Sequence, residues 1–307
     1  MVVSLEPWSF GASRGVTIRT PSYRLFTTLD DEVLRERLPV FLEAAGAQYR
    51  GAITPLSPPP FALDTYVMSN RAQWQSIVTQ LLGSHSDLVA SMNRGGFTLQ
   101  GRSILYELGP RDTLVLLAHE GWHQFAQASF KEPLPIWLDE GLATWFEGHR
   151  WIATTPLFTP RDNPDRMQAL RKASRADSLI PLDQLVNTLP QDWIAKGGDW
   201  PLTYYAQVWA LTRFLAENPQ RREALANILT LASRGRLRSE LSRRLGDRAA
   251  GIAMSRRVGP AVLESFVNRD QDTLQREFSE FVRAITSAAA VPTPTGTRSQ
   301  ARDDSPP

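Results

Sequence analysis

The sequence predicts an α+β fold, with an N-terminal mixed sheet interleaved with helices and an all-helical C-terminal half. Two observations carry this. Segments rich in β-branched and aromatic residues, in rough alternation, fall in the first third of the chain, as half-buried strands require. From about residue 200 the apolar residues recur at helical spacing instead, most clearly in TYYAQVWALTRFLAEN (203–218). The 307 residues allow one large domain or two smaller ones.

In order along the chain, VTIRTPSYRLFTT (16–28) reads as a strand pair or one bent strand. Residues 29–50 read as a helix with acids in its first turn, where Pro39 argues for a kink or an early break. A proline-rich connector (54–60) leads into a strand at 61–69 and a short helix around RAQWQSIVTQLL. GGFTLQGRSILYEL (95–108) suits a hairpin or long strand. Asp112 is an expected N-cap for the buried helix TLVLLAHEGWHQFAQASF, and a proline turn then leads to a second helix, LDEGLATWFEGHRW. Further helices follow near RMQALRKASRA and from 203 on. The last is DTLQREFSEFVRAITSA, with a stripe of Leu274, Phe278, Phe281, Val282 and Ile285. The expected division is 8–150 for the mixed part, 151–288 for a helical part completing a cleft, and 289–307 for a proline-rich disordered tail.

Composition excludes several function classes. With no cysteine there is no disulfide, thiolate nucleophile or Cys-ligated metal, so any metal must be held by His, Asp or Glu. No apolar run approaches the ~20 residues of a transmembrane helix. MVVSLEPWSF lacks a basic n-region and breaks at Pro7, so it does not read as a secretion signal. The cytoplasm is then the default compartment, with an envelope or secreted location open if a leader was removed. The arginine run at 234–248 lacks interleaved aromatics and contains Glu240 and Asp247, which reads as a solvated helix face and argues against nucleic acid.

The chemistry concentrates in LLAHEGWHQF (116–125), which holds two of the four histidines. His119 and His123, four apart on a helix, project from one face and can both reach one zinc ion. Glu120 is rotated by roughly 100° from His119, unsuited to ligation but able to reach water at the metal as a general base. A third ligand is available in Glu140, 17 residues after His123, with Asp139 the neighbouring alternative. Gly141 favours Glu140 by allowing the two helices to approach. Two histidines and one carboxylate leave a fourth position open, as in a catalytic zinc site with one ion per chain. Glu147, on the same face as Glu140, could accept the distal N–H of a ligating histidine. His149 reads as a surface residue near a helix end, and His85 as part of a polar turn.

HEGWH followed by WLDEGLATWFE resembles the gluzincin zinc peptidases, and more nearly the bacterial "peptidase MA-like" domain family. The resemblance runs from about Trp8 to Ser287, including PWSFGASRGVTIRTPSYRLFTT and YAQVWAL (205–211). It implies a zincin-like fold, a peptide or protein substrate, and a tyrosine that stabilises the oxyanion. Tyr204 and Tyr205 are candidates, and the YAQ match favours Tyr205. Zinc aminopeptidases of this clan carry a G-x-M-E-N segment whose glutamate holds the substrate amine. RGGFTLQGRSILYE lacks it, which points to endopeptidase rather than aminopeptidase action. A strand there could still pair with an extended peptide. The alternative is a protein that keeps the fold as a catalytically silent binding scaffold.

Overall fold

The computed structural model describes residues 2–83, 95–268 and 270–287. The expected turn at His85 and the tail from 289 lie outside them. A six-stranded mixed sheet is followed by a largely helical region. The strands are β1 (Ser4–Phe10), β2 (Ser13–Arg19), β3 (Tyr23–Thr27), β4 (Leu63–Met68), β5 (Gly96–Leu99) and β6 (Arg102–Tyr106), in spatial order β1-β2-β3-β4-β6-β5. The β3–β4 and β4–β6 pairs are parallel and the others antiparallel.

Residues 16–28 form a strand pair, as the alternation requires. The N-terminal segment is the edge strand β1, with Pro7 opposite Val16. An edge tolerates proline because one side of the strand needs no partner for its N–H. Helix α1 (Glu32–Gly51) starts on Asp31, whose side chain accepts from Leu34 N–H, and runs through Pro39 without interruption. Its buried stripe, including Leu34, Leu38, Phe41, Leu42 and Tyr49, offsets the hydrogen bond that Pro39 removes.

Alternation in β4 splits the core. Leu63 and Val67 face the larger cluster with α1, whereas Tyr66 and Met68 face a smaller one with Trp74, Ile77 and Val78 of helix α2 (Arg71–Leu82). On the larger face lies helix α3 (Pro110–Ser129), which carries HEGWH. It starts earlier than expected: Gly109 is the N-cap, Pro110 opens the first turn, and Asp112 lies within that turn rather than capping it.

The second motif helix, α4 (Ile136–Phe146), stops at Glu147, so the expected helix is shorter than its sequence pattern. A hairpin follows, of β7 (His149–Ile152) and β8 (Thr155–Phe158), the one sheet interrupting the described rear half. Helices α5 (Pro164–Arg175), α6 (Leu182–Asn187), α7 (Pro190–Lys196), α8 (Trp200–Glu217), α9 (Pro219–Arg234), α10 (Leu237–Leu245), α11 (Asp247–Arg256), α12 (Ala261–Phe266) and α13 (Gln271–Ser287) complete the chain. The α13 stripe is buried at Leu274, Phe278 and Val282 and half-buried at Phe281 and Ile285. Among the described residues no helix is long and apolar enough to cross a membrane.

Candidate metal centre

Helix α3 is fixed before any metal is considered. Tyr49 donates its O–H to Ala118 O at 2.8 Å, and Gly121 makes room for that ring, since a Cβ there would lie 2.7 Å from the Tyr49 oxygen. On the sheet side Thr98 and Ser103 donate to Glu120 O at 2.9 and 3.2 Å. Gln124 donates to Asp64 O and Gly101 O at 2.7 and 2.9 Å. These contacts pin both the translation and the rotation of α3, so the face carrying the histidines has one orientation.

That face meets α4. His119 Nε2 and His123 Nε2 lie 3.4 and 3.6 Å from the same atom, Glu140 Oε2. One donor atom from each of the three residues falls within 4.8 Å of the others, a group able to hold a metal ion. Atoms bonded tetrahedrally to zinc at about 2.0–2.2 Å lie roughly 3.3–3.6 Å apart. The two measured separations therefore match the edges of such a polyhedron and are long for direct hydrogen bonds. Glu140 Oε2 is buried and has no hydrogen-bond partner, which costs free energy unless a cation faces it.

The outward nitrogen of each histidine faces a carboxylate. His119 Nδ1 donates to Glu147 Oε1 at 2.9 Å. Glu147 also accepts both Arg166 Nη2 (2.6 Å, on Oε1) and Nε (2.8 Å, on Oε2), and Asn163 Nδ2 at 2.9 Å. His123 Nδ1 lies 3.4 Å from Asp139 Oδ1, which also accepts Trp122 Nε1–H at 3.0 Å, and Arg257 Nη2 donates to Asp139 Oδ2 at 2.9 Å. Asp139, a neighbouring alternative as ligand, thus stands behind His123. Arg166 pairs with Glu147 and Arg257 with Asp139, whereas Glu140 faces only the two imidazoles.

The same arrangement governs protonation without a metal. Burial disfavours charged imidazoles, but the facing carboxylates of Glu140 and Glu147 outweigh it at His119, and those of Asp139 and Glu140 outweigh it more strongly at His123. Both pKa values rise. Burial likewise acts to raise the carboxylates, yet His123 and Arg257 hold Asp139 below its usual range, and His119 and His123 hold Glu140 far below. Arg166 and His119 override burial to hold Glu147 at about 2. Binding of a metal ion to these residues would therefore release protons.

Beside His119 a cavity of about 310 Å³ is lined by Glu120, Glu147, Arg166, Leu202 and Tyr205, among others. The Tyr205 ring stands edge-on to His119 with centroids 6.0 Å apart, and the Arg166 guanidinium lies 5.3 Å over it. Tyr204 is fully buried, and its hydroxyl lacks a hydrogen-bond partner. Burial and the charge of Glu140 push its pKa up. Only Tyr205 of the pair lines the cavity.

Two expectations are corrected. Gly141 does not serve the α3–α4 approach; a Cβ there would lie 2.3 Å from Thr212 Oγ1 and 2.8 Å from Val208 O, so it lets α4 close on α8. His149 is half-buried, its ring 4.8 Å from Phe41, its Nδ1 bonded to Glu147 O, and its pKa lowered by burial. Sequence reasoning missed Arg166, Asn163 and Arg257, since no local pattern ties them to the histidines.

Residues 114–237 match the model of a protein family of unknown function, DUF1570. The matched span contains His119, Glu120, His123, Glu140, Glu147 and Tyr205 but not Arg257. The match is to that family rather than to the peptidase MA-like family that the sequence resembles, and it brings no activity with it. No curated protein matches the chain.

Proposed function

We propose that this chain is a zinc-dependent peptide hydrolase of gluzincin type, an endopeptidase rather than an aminopeptidase. The observation that carries the reading is the convergence of His119 Nε2 and His123 Nε2 on Glu140 Oε2, a buried oxygen with no hydrogen-bond partner, at separations that suit three ligands of one ion. The chemistry a zinc ion supplies in such a site is Lewis acidity, which makes water a nucleophile near neutral pH and polarises a carbonyl.

The chain's own residues do the rest. His119, His123 and Glu140 would hold the ion, and Glu147 fixes the His119 ring through Nδ1. Glu120, on the cavity wall, takes the proton of the attacking water and returns it to the leaving amine. Tyr205 donates its O–H to the oxyanion as it forms. The edge strand β5 borders α3 and offers backbone groups to an extended peptide, which requires no anchoring of a free amine. Residues of the rear half, Arg166, Leu202 and Tyr205, close the cavity and complete the cleft.

The test is metal analysis followed by a peptide-library digest. Purified protein is expected to hold one zinc per chain, and Glu120→Gln to keep the zinc while losing hydrolysis. Protein that cannot be loaded with zinc overturns the reading. Silence of the fully loaded protein toward every peptide favours a binding scaffold.

A further inference from the structure

A second cavity, of about 340 Å³, opens between α5 and α8. It shares Arg166 and Leu202 with the cavity beside His119, so the two adjoin along a common wall. Ala169 and Ala173 of α5 provide small apolar side chains on one side, and Leu202 faces it from α8. Leu202 is 52% exposed. This side chain therefore retains apolar surface for a guest to cover.

The charges around the cavity are already matched. Asp199 pairs with Lys172 at 2.6 Å, Asp165 with Arg111 at 2.7 Å, and Arg166 with Glu147 at 2.6 Å. Each of these charges already has a partner, so a charged guest gains little there. An apolar guest gains free energy in proportion to the apolar area it removes from water.

We infer that this cavity is a specificity pocket, taking an uncharged, bulky apolar side chain of leucine or phenylalanine size from a residue beside the scissile bond. The inference rests on the hydrolase reading of the adjoining centre and names the substrate feature that centre selects.

The test uses the full chain carrying Glu120→Gln, loaded with zinc, and isothermal titration with two hydroxamate series. N-acetyl amino-acid hydroxamates and malonyl-amino-acid amide hydroxamates place a Gly, Leu, Phe, Asp or Lys side chain on either side of the metal. In one series Leu and Phe are expected to bind at least tenfold tighter than Gly, with Asp and Lys no tighter than Gly. Ala169→Trp, which fills the cavity, should bring the Leu-to-Gly ratio towards one. Leu202→Asp, at an exposed position that leaves the fold intact, should turn the preference towards Lys. Equal binding of all five side chains in both series overturns the pocket and leaves the metal centre standing. If no hydroxamate binds the zinc-loaded protein, the open metal position is absent and both readings fall.

Discussion

Arg257 donates to Asp139 Oδ2 at 2.9 Å, holding the carboxylate that stands 3.4 Å behind His123 Nδ1. The same guanidinium donates through Nε to Leu134 O at 2.8 Å, and Arg257 O accepts Ile136 N–H at 2.7 Å. A residue 118 positions from Asp139 in sequence thus fixes both the start of α4 and one partner of a candidate ligand. Partners behind metal ligands typically contribute 10–100-fold in affinity. Arg257→Ala is therefore expected to weaken zinc binding about tenfold, measured by competition with a chromogenic chelator, and Arg257→Lys to recover part of it. A purely structural arginine would lower Tm and leave the affinity of the folded protein unchanged.

Zinc itself should stabilise the fold through Glu140. A ligand at a hundred times its Kd adds about 2.7 kcal/mol to a protein it binds only when folded. For a chain of this size that is a rise in Tm of about 4 °C. Calorimetry with and without zinc should show it for the parent protein, and Glu140→Gln should lose most of it. An equal rise in both proteins would place the ion elsewhere.

Acid should destabilise the metal-free protein by a definable route. The Glu147 carboxyl sits at about 2 in the fold, below the 4.5 usual for a glutamate. A depressed carboxylate contributes its stability above its unfolded pKa and loses it as pH falls towards the folded one. Thermal melts in EDTA should therefore show Tm falling from about pH 4.5 towards 2. Asp139 and Glu140 act in the same direction. Glu147→Gln, less stable at neutral pH because Arg166 loses its partner, should show a shallower fall over that window.

These partners mark how far the sequence could be read. His119 and His123 are on one helical turn, so their shared face follows from helix geometry alone, and Glu140 follows from the short connection between two helices. Glu147 was legible as a residue that could reach a histidine. Behind His123 the rotation of α4 decides which of two adjacent acids faces the metal and which faces the ring, and that rotation is set by Trp137, Leu138 and Leu142 packing in the core. Arg166 and Arg257 arrive from helices whose placement depends on the whole rear half. At Pro39 the local penalty pointed to a kink or an early break, and the buried stripe of α1 keeps the helix continuous from Glu32 to Gly51.

Gly141 gives the sharpest test of that dependence on packing. A Cβ there would sit 2.3 Å from Thr212 Oγ1 and 2.8 Å from Val208 O, both on α8. The first contact is to a side chain, but Thr212 is itself buried and bonded to Val208 O at 3.0 Å, so it cannot swing freely. Gly141→Ala should therefore force α4 off α8 despite alanine's better helix propensity, which by itself favours the substitution by about 1 kcal/mol. Overpacking typically costs 1–3 kcal/mol, so the net effect should be a loss of up to about 2 kcal/mol in chemical denaturation. Because Glu140 precedes the moved residue, zinc affinity should fall with it. Thr212→Ala in the same chain removes the nearer contact but not the carbonyl, and is expected to return part of the stability and part of the affinity. If Gly141→Ala instead stabilises the protein, α4 and α8 are farther apart than 2.8 Å contacts allow, and the position of Glu140 over the two histidines must be drawn again.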